Sequence, residues 1–229
     1  MSKYIYISAE TERQLKQIRR SVYLKMNGVT ADRMKSDGVV YAKNYGVSLP
    51  ELKQMAAKIP QDKTLAEALW RDKVRETMLL ATFVYPVDEF EADIADEWVA
   101  DVTTLELAEN LSRNLLGKLS YIGSVAEAWV DSENYWICAV GFFSAAFAVE
   151  RLTQEQKHAL LLKVSQCAKF NEVPVCRAIA LFLRKLGGQS QEDARAVMSF
   201  LTDFAMSETR AERYVYEEVK TDLEYRFDI

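Results

Sequence analysis

Apolar residues recur every three or four positions along almost the whole chain, which is the spacing of one face of an α-helix. Three segments also contain a capping box, in which a Ser or Thr and a Glu or Gln three residues later bond the free N–H groups of a helix start. These segments begin at Ser48, Thr103 and Thr153. The pattern predicts about a dozen helices, over residues 9–26, 31–45, 49–58, 62–70, 73–84, 88–99, 104–117, 119–130, 133–149, 153–169, 173–186, 190–206 and 208–223.

One arrangement of helices occurs more than once. Residues 65–86 (LAEALWRDKVRETMLLATFVYP) place two apolar segments around a short polar hinge, and residues 125–146 (VAEAWVDSENYWICAVGFFSAA) do the same. The segments LLLKVSQCAKF and VPVCRAIALFLRKLGG continue the series. Helix pairs that recur at about 35 to 45 residues cannot bury both faces alone, so they stack side by side. The repetition predicts an α-α superhelix, a right-handed solenoid, and an irregular helical bundle is the alternative.

Composition supports a helical domain. The chain has 229 residues, 49% of them hydrophobic, with only 8 Gly and 4 Pro to form turns. No segment has the length and composition of a linker, so residues 1–229 are predicted to form a single domain. Three cysteines without a C-x-x-C pair indicate buried thiols in a reducing compartment. The chain lacks an apolar run of membrane-spanning length and a signal-peptide pattern, which predicts a cytoplasmic protein without a membrane partner.

Charge is distributed unevenly along the chain. The net charge is −5, yet residues 1–75 contain 15 Lys and Arg against 8 Asp and Glu. Residues 76–116 contain 1 against 10. A basic surface on an acidic body would concentrate any contact with nucleic acid in the first third of the chain. The alternative is that these Lys and Arg side chains are only hydrated surface residues on exposed helix faces.

Three motifs in order resemble a known family. They are YAKNYGVSLPELKQMA (residues 41–56), LAEALWRDKVRETMLLATFVY (residues 65–85) and an acidic helix that ends in DEWVADVTT (residues 96–104). Together with a later Arg-Ala-Ile helix, they resemble the HEAT-like repeat proteins called DNA alkylation repair enzymes. The resemblance implies an α-α superhelix of HEAT-like repeats with a concave basic surface that holds duplex DNA. Some members are glycosylases that release purines alkylated at ring nitrogens.

The resemblance also implies which residues contact DNA. Cations of the matching segments and one aromatic residue are expected to face the duplex, which can carry alkylated bases. They are Lys43, Lys53, Arg71, Lys73, Arg75, Trp136, Arg177 and Arg184, with Lys185 beside the last of them. Convergence of these side chains on one surface favours DNA as the partner. Dispersal favours the second hypothesis, a non-catalytic HEAT-like scaffold that binds a protein.

The same resemblance identifies positions for catalysis. An alkylated purine is already a good leaving group, so an enzyme need only stabilise the developing charge on the sugar and position water, for which a carboxylate and aromatic faces are suited. Trp98 matches a Trp of catalytic members, but Val102 stands where they have Asp, and Asp101 comes one residue early. Cys138 and Leu181 stand where an Arg and a second Trp are expected.

Trp98 and Asp101 are therefore the catalytic candidates, and weak or absent glycosylase activity is predicted. For Asp101 the alternative is a cap on the helix that follows.

Other enzyme classes have little support in the sequence. The single His158 has no Ser or Cys partner in a recognisable motif, and the chain contains no G-x-G-x-x-G, P-loop or H-E-x-x-H sequence. We therefore expect no metal ion and no nucleotide cofactor.

Overall fold

The computed structural model describes residues 7–227, and this part of the chain is helical without a β-strand. Fourteen α-helices occur within it. They are α1 (Ala9–Leu24), α2 (Gly28–Ser36), α3 (Leu49–Ala56), α4 (Lys63–Arg71), α5 (Arg75–Val84), α6 (Ala92–Ala100), α7 (Leu105–Asn114), α8 (Ile122–Val130), α9 (Tyr135–Ala148), α10 (Gln154–Ala168), α11 (Val173–Gly187), α12 (Gln191–Phe200), α13 (Thr202–Ala205) and α14 (Arg210–Phe227). Short 3-10 turns lie at Val87–Glu89 and Leu116–Lys118. The all-α prediction is confirmed.

Several helix boundaries differ from the prediction. The helix expected at 31–45 is instead α2, which begins after Asn27 because that side chain accepts the Thr30 N–H, and which ends at Ser36. Residues 37–48 form an irregular segment, which we call the YGV loop after its Tyr-Gly-Val sequence. The helix expected at 190–206 is interrupted at Leu201 and continues as α13.

Two of the three predicted capping positions are correct. Ser48 and Thr153 cap α3 and α10, and Thr153 forms a complete capping box with Gln156. At the third position the cap is Thr104 rather than Thr103, and its hydroxyl accepts the Leu107 N–H.

The chain divides after Glu91 into two compact units. The first unit contains α1 to α5 and the second contains α6 to α14. The single domain over residues 1–229 stays a prediction.

The first unit is built around α5. All residues of α5 except Phe83 are buried, and this helix packs against α3 and α4. The Trp70 side chain lies in the same core, at the end of α4. In contrast, α2 contributes no buried residue. The core of this unit therefore rests on α3 to α5, with α1 packed against α4.

The second unit is built around α9, which is buried over most of its length. It packs against α7, α8 and α11, and the rings of Phe142 and Phe182 lie 5.7 Å apart. Gly141 allows the close approach of α8, since a Cβ there would lie 2.9 Å from a methyl group of Val130. The repeated sequence segments are thus packed helix pairs, α4 with α5 and α8 with α9, and the third segment pair forms α10 and α11.

Candidate nucleic-acid interface

The YGV loop is fixed from one side by the first residues of α5. Glu76 is completely buried, and its carboxylate accepts the N–H of Tyr45 at 3.1 and 3.2 Å and the N–H of Val47 at 3.2 Å. The guanidinium of Arg75 donates to the Val47 carbonyl at 2.8 Å and to Glu76 at 2.9 Å. A buried carboxylate is tolerated because these donors and the adjacent cation compensate for its lost hydration.

The loop is fixed from the other side by the start of α2. Gly46 has a φ of +72°, and a Cβ at this position would lie 2.2 Å from the carbonyl oxygen of Asn27. The N–H of Asn27 donates to the Tyr45 carbonyl at 2.8 Å. Only glycine fits this contact without strain, so the path of the loop is set by α2 and α5 together.

This path brings two predicted DNA-binding lysines together. Lys43 forms an isolated parallel bridge with Val74, and its carbonyl accepts the N–H of Arg75 at 2.9 Å. Lys73 immediately precedes Val74 and has a φ of 52°. Lys43 and Lys73 are both exposed, and each cation lies near an aromatic ring. Lys43 Nζ is 4.8 Å from the centroid of the Tyr45 ring, and Lys73 Nζ is 5.8 Å from the centroid of the Trp70 ring.

A third lysine lies on the same side of the loop. Lys35 of α2 and Lys43 line one cleft, together with Ala31, Asp32, Val39, Val40, Tyr41, Ala42 and Asn44. Arg71, at the end of α4, is exposed two residues before Lys73. We call Lys35, Lys43, Arg71 and Lys73 the basic cluster.

Asp72, the acidic residue between two members of the basic cluster, is paired with a cation of the first unit. Asp72 lies between Arg71 and Lys73, and its carboxylate accepts the Nε–H of Arg19 at 2.8 Å and a second bond from the same guanidinium. The hydrogen bond to Asp72 raises the pKa of Arg19. Because Arg19 compensates Asp72, the hinge between α4 and α5 keeps a positive potential.

The remaining predicted DNA contacts have different surroundings. Arg75 is 3% exposed and bonded inside the first unit, so its inclusion among the DNA contacts was wrong. Lys53 is exposed on α3. In the second unit Arg177 and Lys185 are exposed on α11.

Two further candidates of the second unit are held by neighbouring side chains. Arg184 is half-buried and donates to Asp222 of α14 at 2.8 Å, with Glu218 at 3.8 Å. Trp136 is half-buried in the first turn of α9, with its ring 5.2 Å from that of Tyr135.

The catalytic candidates lie at the end of α6. Trp98 is 4% exposed and belongs to the core of the second unit. Asp101 is half-buried in the turn after α6, and its N–H donates to the Trp98 carbonyl at 3.2 Å. The hydroxyl of Thr104, one turn later, caps α7, so the capping role considered for Asp101 belongs to Thr104.

The other positions of the expected catalytic set carry apolar or neutral side chains. Val102 is buried, and Leu181 is half-buried on α11. Cys138 is completely buried in α9, where a hydrogen bond with Cys167 and burial raise the pKa of its thiol. It therefore stays neutral and cannot supply the positive charge of an Arg.

Two kinds of feature are absent from the described residues, 7–227. No group of three or more His, Cys, Asp or Glu side chains in this part of the chain could hold a metal ion. No helix within it has the length and apolar character needed to cross a membrane.

Comparison with known proteins connects these features to a family. The family model described as DNA alkylation repair enzyme matches residues 23–217. The chain belongs to this family. Its matched range includes the YGV loop, the basic cluster and both catalytic candidates.

A solved structure shares the fold of this DNA alkylation repair family member. It is described as a new family of proteins related to the HEAT-like repeat DNA glycosylases with affinity for branched DNA structures. The two chains superpose with a TM-score of 0.80 at 15% sequence identity, over 93% of this chain and 95% of that chain. This confirms the prediction of HEAT-like helical repeats. A comparison with curated protein sequences finds no match.

The structure gives a physical role to two motifs of the resemblance to DNA alkylation repair enzymes. The Tyr-Gly-Val sequence and the Arg-Glu pair are far apart in the chain, yet they meet through Glu76. Sequence reasoning identified the pair but missed that Glu76 binds the loop, and it missed Lys35 and Tyr45 as neighbours of Lys43. The signal available was the Arg-Glu pair itself, since adjacent opposite charges inside an apolar helix require burial partners.

Proposed function

We propose that the chain binds DNA through the basic cluster of its first unit and has little or no activity as an alkylpurine glycosylase. The observation that carries this proposal is that Lys35 and Lys43 line one cleft and that the backbone of Lys43 is bridged to Val74, the residue after Lys73. All three side chains are exposed, and the backbone of Lys43 is held by a loop that is bonded to α2 and α5. Phosphate groups are the ligand that such an arrangement suits.

The distribution of charge supports the same partner. Residues 1–75 contain 15 Lys and Arg against 8 Asp and Glu, and several of these acids are already paired with cations of the same unit. The rest of the chain has an excess of acids. A polyanion is therefore attracted to one region of the surface and repelled by others, which orients it.

The comparisons favour DNA as the polyanion. The family is named for the repair of alkylated DNA, and the solved relative is described as having affinity for branched DNA structures. We infer that this chain binds duplex DNA, whether alkylated or not, and that branched DNA is a substrate to be tested beside it. Binding should be independent of sequence, since backbone contacts carry no base information.

The absence of base release follows from the residues at the catalytic positions. Stabilising the sugar cation needs an aimed carboxylate, and Val102 and Cys138 offer neither a negative nor a positive charge. Trp98 is buried in the core, so its ring supports the fold of the second unit.

The test is a titration of labelled duplex DNA with the whole chain at several salt concentrations. We expect weak binding whose affinity falls steeply between about 50 and 200 mM salt, with a slope that corresponds to roughly three to six phosphate contacts. The variant Lys43→Glu/Lys73→Glu should weaken binding more than about 10-fold and lower the slope by about 2 or more.

The control has the same change in net charge at another place. Lys118→Glu/Lys169→Glu alters two exposed lysines of the second unit and should bind nearly as the natural chain does. Absence of binding at low salt would exclude the proposal. An equal loss in both variants would show that only net charge matters, and circular dichroism of each variant verifies that the helices are intact.

A further inference from the structure

Four large apolar side chains are exposed beside the basic cluster. They lie at the end of α1 and the start of α2, and their exposed fractions are 54% for Tyr23, 73% for Leu24, 54% for Met26 and 81% for Val29. We call them the apolar edge. None of the four belongs to the buried core. A run of exposed large apolar residues within seven positions indicates a contact surface rather than chance exposure.

The apolar edge is joined to the basic cluster by direct contacts. The ring of Tyr23 meets that of Tyr45 edge to face, with centroids 6.0 Å apart, and Lys43 Nζ lies over the same Tyr45 ring. Asn27, in the middle of the edge, bonds to the backbone of Tyr45. The apolar edge therefore adjoins the basic cluster at Tyr23 and Tyr45.

Cations also surround the edge itself. Arg20 and Lys25 lie on either side of Tyr23 in the chain, and Arg33 shares a helix face with Val29 because the two are four residues apart. The ion pairs of Lys25 with Glu51 at 3.4 Å and of Arg33 with Asp37 at 3.8 Å are exposed and therefore weak. The partner of this surface must accordingly combine negative charge with accessible apolar faces.

Unpaired bases at a DNA branch point have this combination. In a linear duplex the bases are stacked inside and only the phosphates face outward, so the apolar edge gains little from it. At a junction or fork, bases at the branch are unstacked beside phosphates of the same strand. Aliphatic side chains can occupy the space between base steps, and aromatic rings can stack on single bases.

We propose that the apolar edge binds unpaired bases at DNA branch points while the basic cluster holds the adjoining phosphates. This inference rests on the proposed DNA binding and names the structure that is bound. The edge supplies the preference for branched over linear DNA, and the cluster supplies the affinity common to both.

The experiment compares the natural chain with Leu24→Gln/Met26→Gln/Val29→Gln on two probes, a linear duplex and a fork of the same sequence with unpaired bases. All three positions are exposed, so the substitutions should leave the fold intact. The natural chain should bind the fork more tightly. The variant should lose about 10-fold in affinity for the fork and keep its affinity for the linear duplex within about twofold.

The matched control places the same three substitutions in the second unit. Leu162, Val173 and Met206 are exposed by 62%, 64% and 88%, and the variant Leu162→Gln/Val173→Gln/Met206→Gln has an identical change in composition. It should bind both probes as the natural chain does. A fork-specific loss in the control as well would overturn the assignment to the apolar edge.

A direct signal for the contact is available from 2-aminopurine placed at the unpaired position of the fork. Insertion of aliphatic side chains separates this base from its neighbours, so its fluorescence should rise on addition of the natural chain and change little with the edge variant. Unchanged fluorescence with the natural chain at saturation would overturn the inference.

The outcomes separate this inference from the function on which it rests. If the natural chain binds neither probe, the proposed function fails. If it binds fork and linear duplex equally, or the edge variant weakens both in parallel, DNA binding stands and the apolar edge has no role in branch recognition. If the edge variant converts a self-associating natural chain into a monomer with unchanged DNA binding, the edge is a contact between copies and the inference is wrong.

Discussion

Arg75 and Glu76 show that a charged residue can serve the fold instead of the surface. Glu76 is completely buried and accepts two backbone N–H groups of the YGV loop, with that of Tyr45 shared between both carboxylate oxygens, and one bond from Arg75. Removing one member of such a pair leaves the other charge buried without compensation. The pair therefore acts as an internal connection between a helix start and a distant loop.

The hydrophobic periodicity of the segment did not indicate that Arg75 is buried, although its pairing with Glu76 was a signal. A surface helix shows alternating apolar and polar faces, but α5 is buried on nearly every side, so its polar residues do not mark an exposed face. Lys43 and Lys73, in contrast, precede or follow turns and were correctly expected at the surface. Periodicity identifies helices well and identifies the exposure of single residues only when the helix is amphipathic.

At the residue scale, the replaced catalytic positions predict slow or undetectable release of 7-methylguanine and 3-methyladenine from methylated duplex DNA. Loss of one aimed electrostatic group typically costs about 100-fold to 1000-fold in rate. Chromatography of released bases measures this, with an active alkylpurine glycosylase assayed in parallel. Brisk release by the natural chain would contradict the prediction and identify Asp101 as the carboxylate, in which case Asp101→Asn should abolish activity.

The YGV loop is the element that sequence reasoning misassigned. Val39, Val40 and Tyr41 give this segment apolar positions that a helix also allows, and the sequence predicts a helix over 31–45. The loop instead bonds to Glu76, which is distant in the chain. It also bonds to Asn27, and this contact is next to Gly46, which has the left-handed conformation. Helices with local caps, such as α3 and α10, were predictable because their signals lie within four residues.

At the element scale, Glu76→Gln should loosen the YGV loop and destabilise the first unit. The substitution leaves Arg75 buried without its counter-ion, which typically costs about 3 kcal/mol in the free energy of unfolding. In the natural chain the N–H groups of Tyr45 and Val47 donate to the Glu76 carboxylate. In the variant, hydrogen exchange of these two amides should be faster. The matched control Glu10→Gln changes an exposed carboxylate of α1 and should leave exchange in the loop unchanged. Equal protection in the two variants would contradict the role of Glu76.

At the scale of the molecule, the cation-rich segment lies within the first compact unit. The surplus of cations ends at residue 75, and the first compact unit ends at Glu91. The difference in charge between these regions could be predicted from the sequence, because it depends only on the numbers of charged residues and not on the positions of their side chains. Which cations face a common ligand was not visible, since that depends on the bridge between Lys43 and Val74.

Buried phenol and thiol groups predict how stability changes at alkaline pH. Burial and the Glu67 carboxylate, which accepts the Tyr85 hydroxyl at 3.2 Å, raise the pKa of Tyr85. Burial also raises the pKa of the Cys176 thiol. The folded state thus favours the neutral forms. Stability should be complete below the unfolded pKa values, about 8.5 for Cys and 10 for Tyr, and should fall as pH rises above them.

Urea unfolding between about pH 8 and pH 11 measures this decline. Tyr85→Phe removes the buried phenol, so the decline above about pH 10 should become shallower, whatever the effect of the substitution at neutral pH. Tyr225→Phe is the control, because Tyr225 is 92% exposed. Identical pH dependence of the two variants would show that Tyr85 does not contribute.

The lack of buried residues in α2 has a consequence for how such a protein can evolve. Substitutions in α5 are constrained by packing on nearly every side, whereas the exposed side chains of α2 can change with little effect on stability. Asn27 and the contact at Gly46 are among the features that hold the helix in place. Selection can therefore vary this surface among descendants of one ancestor, and their preferences for ligands can diverge while the folded scaffold is inherited unchanged.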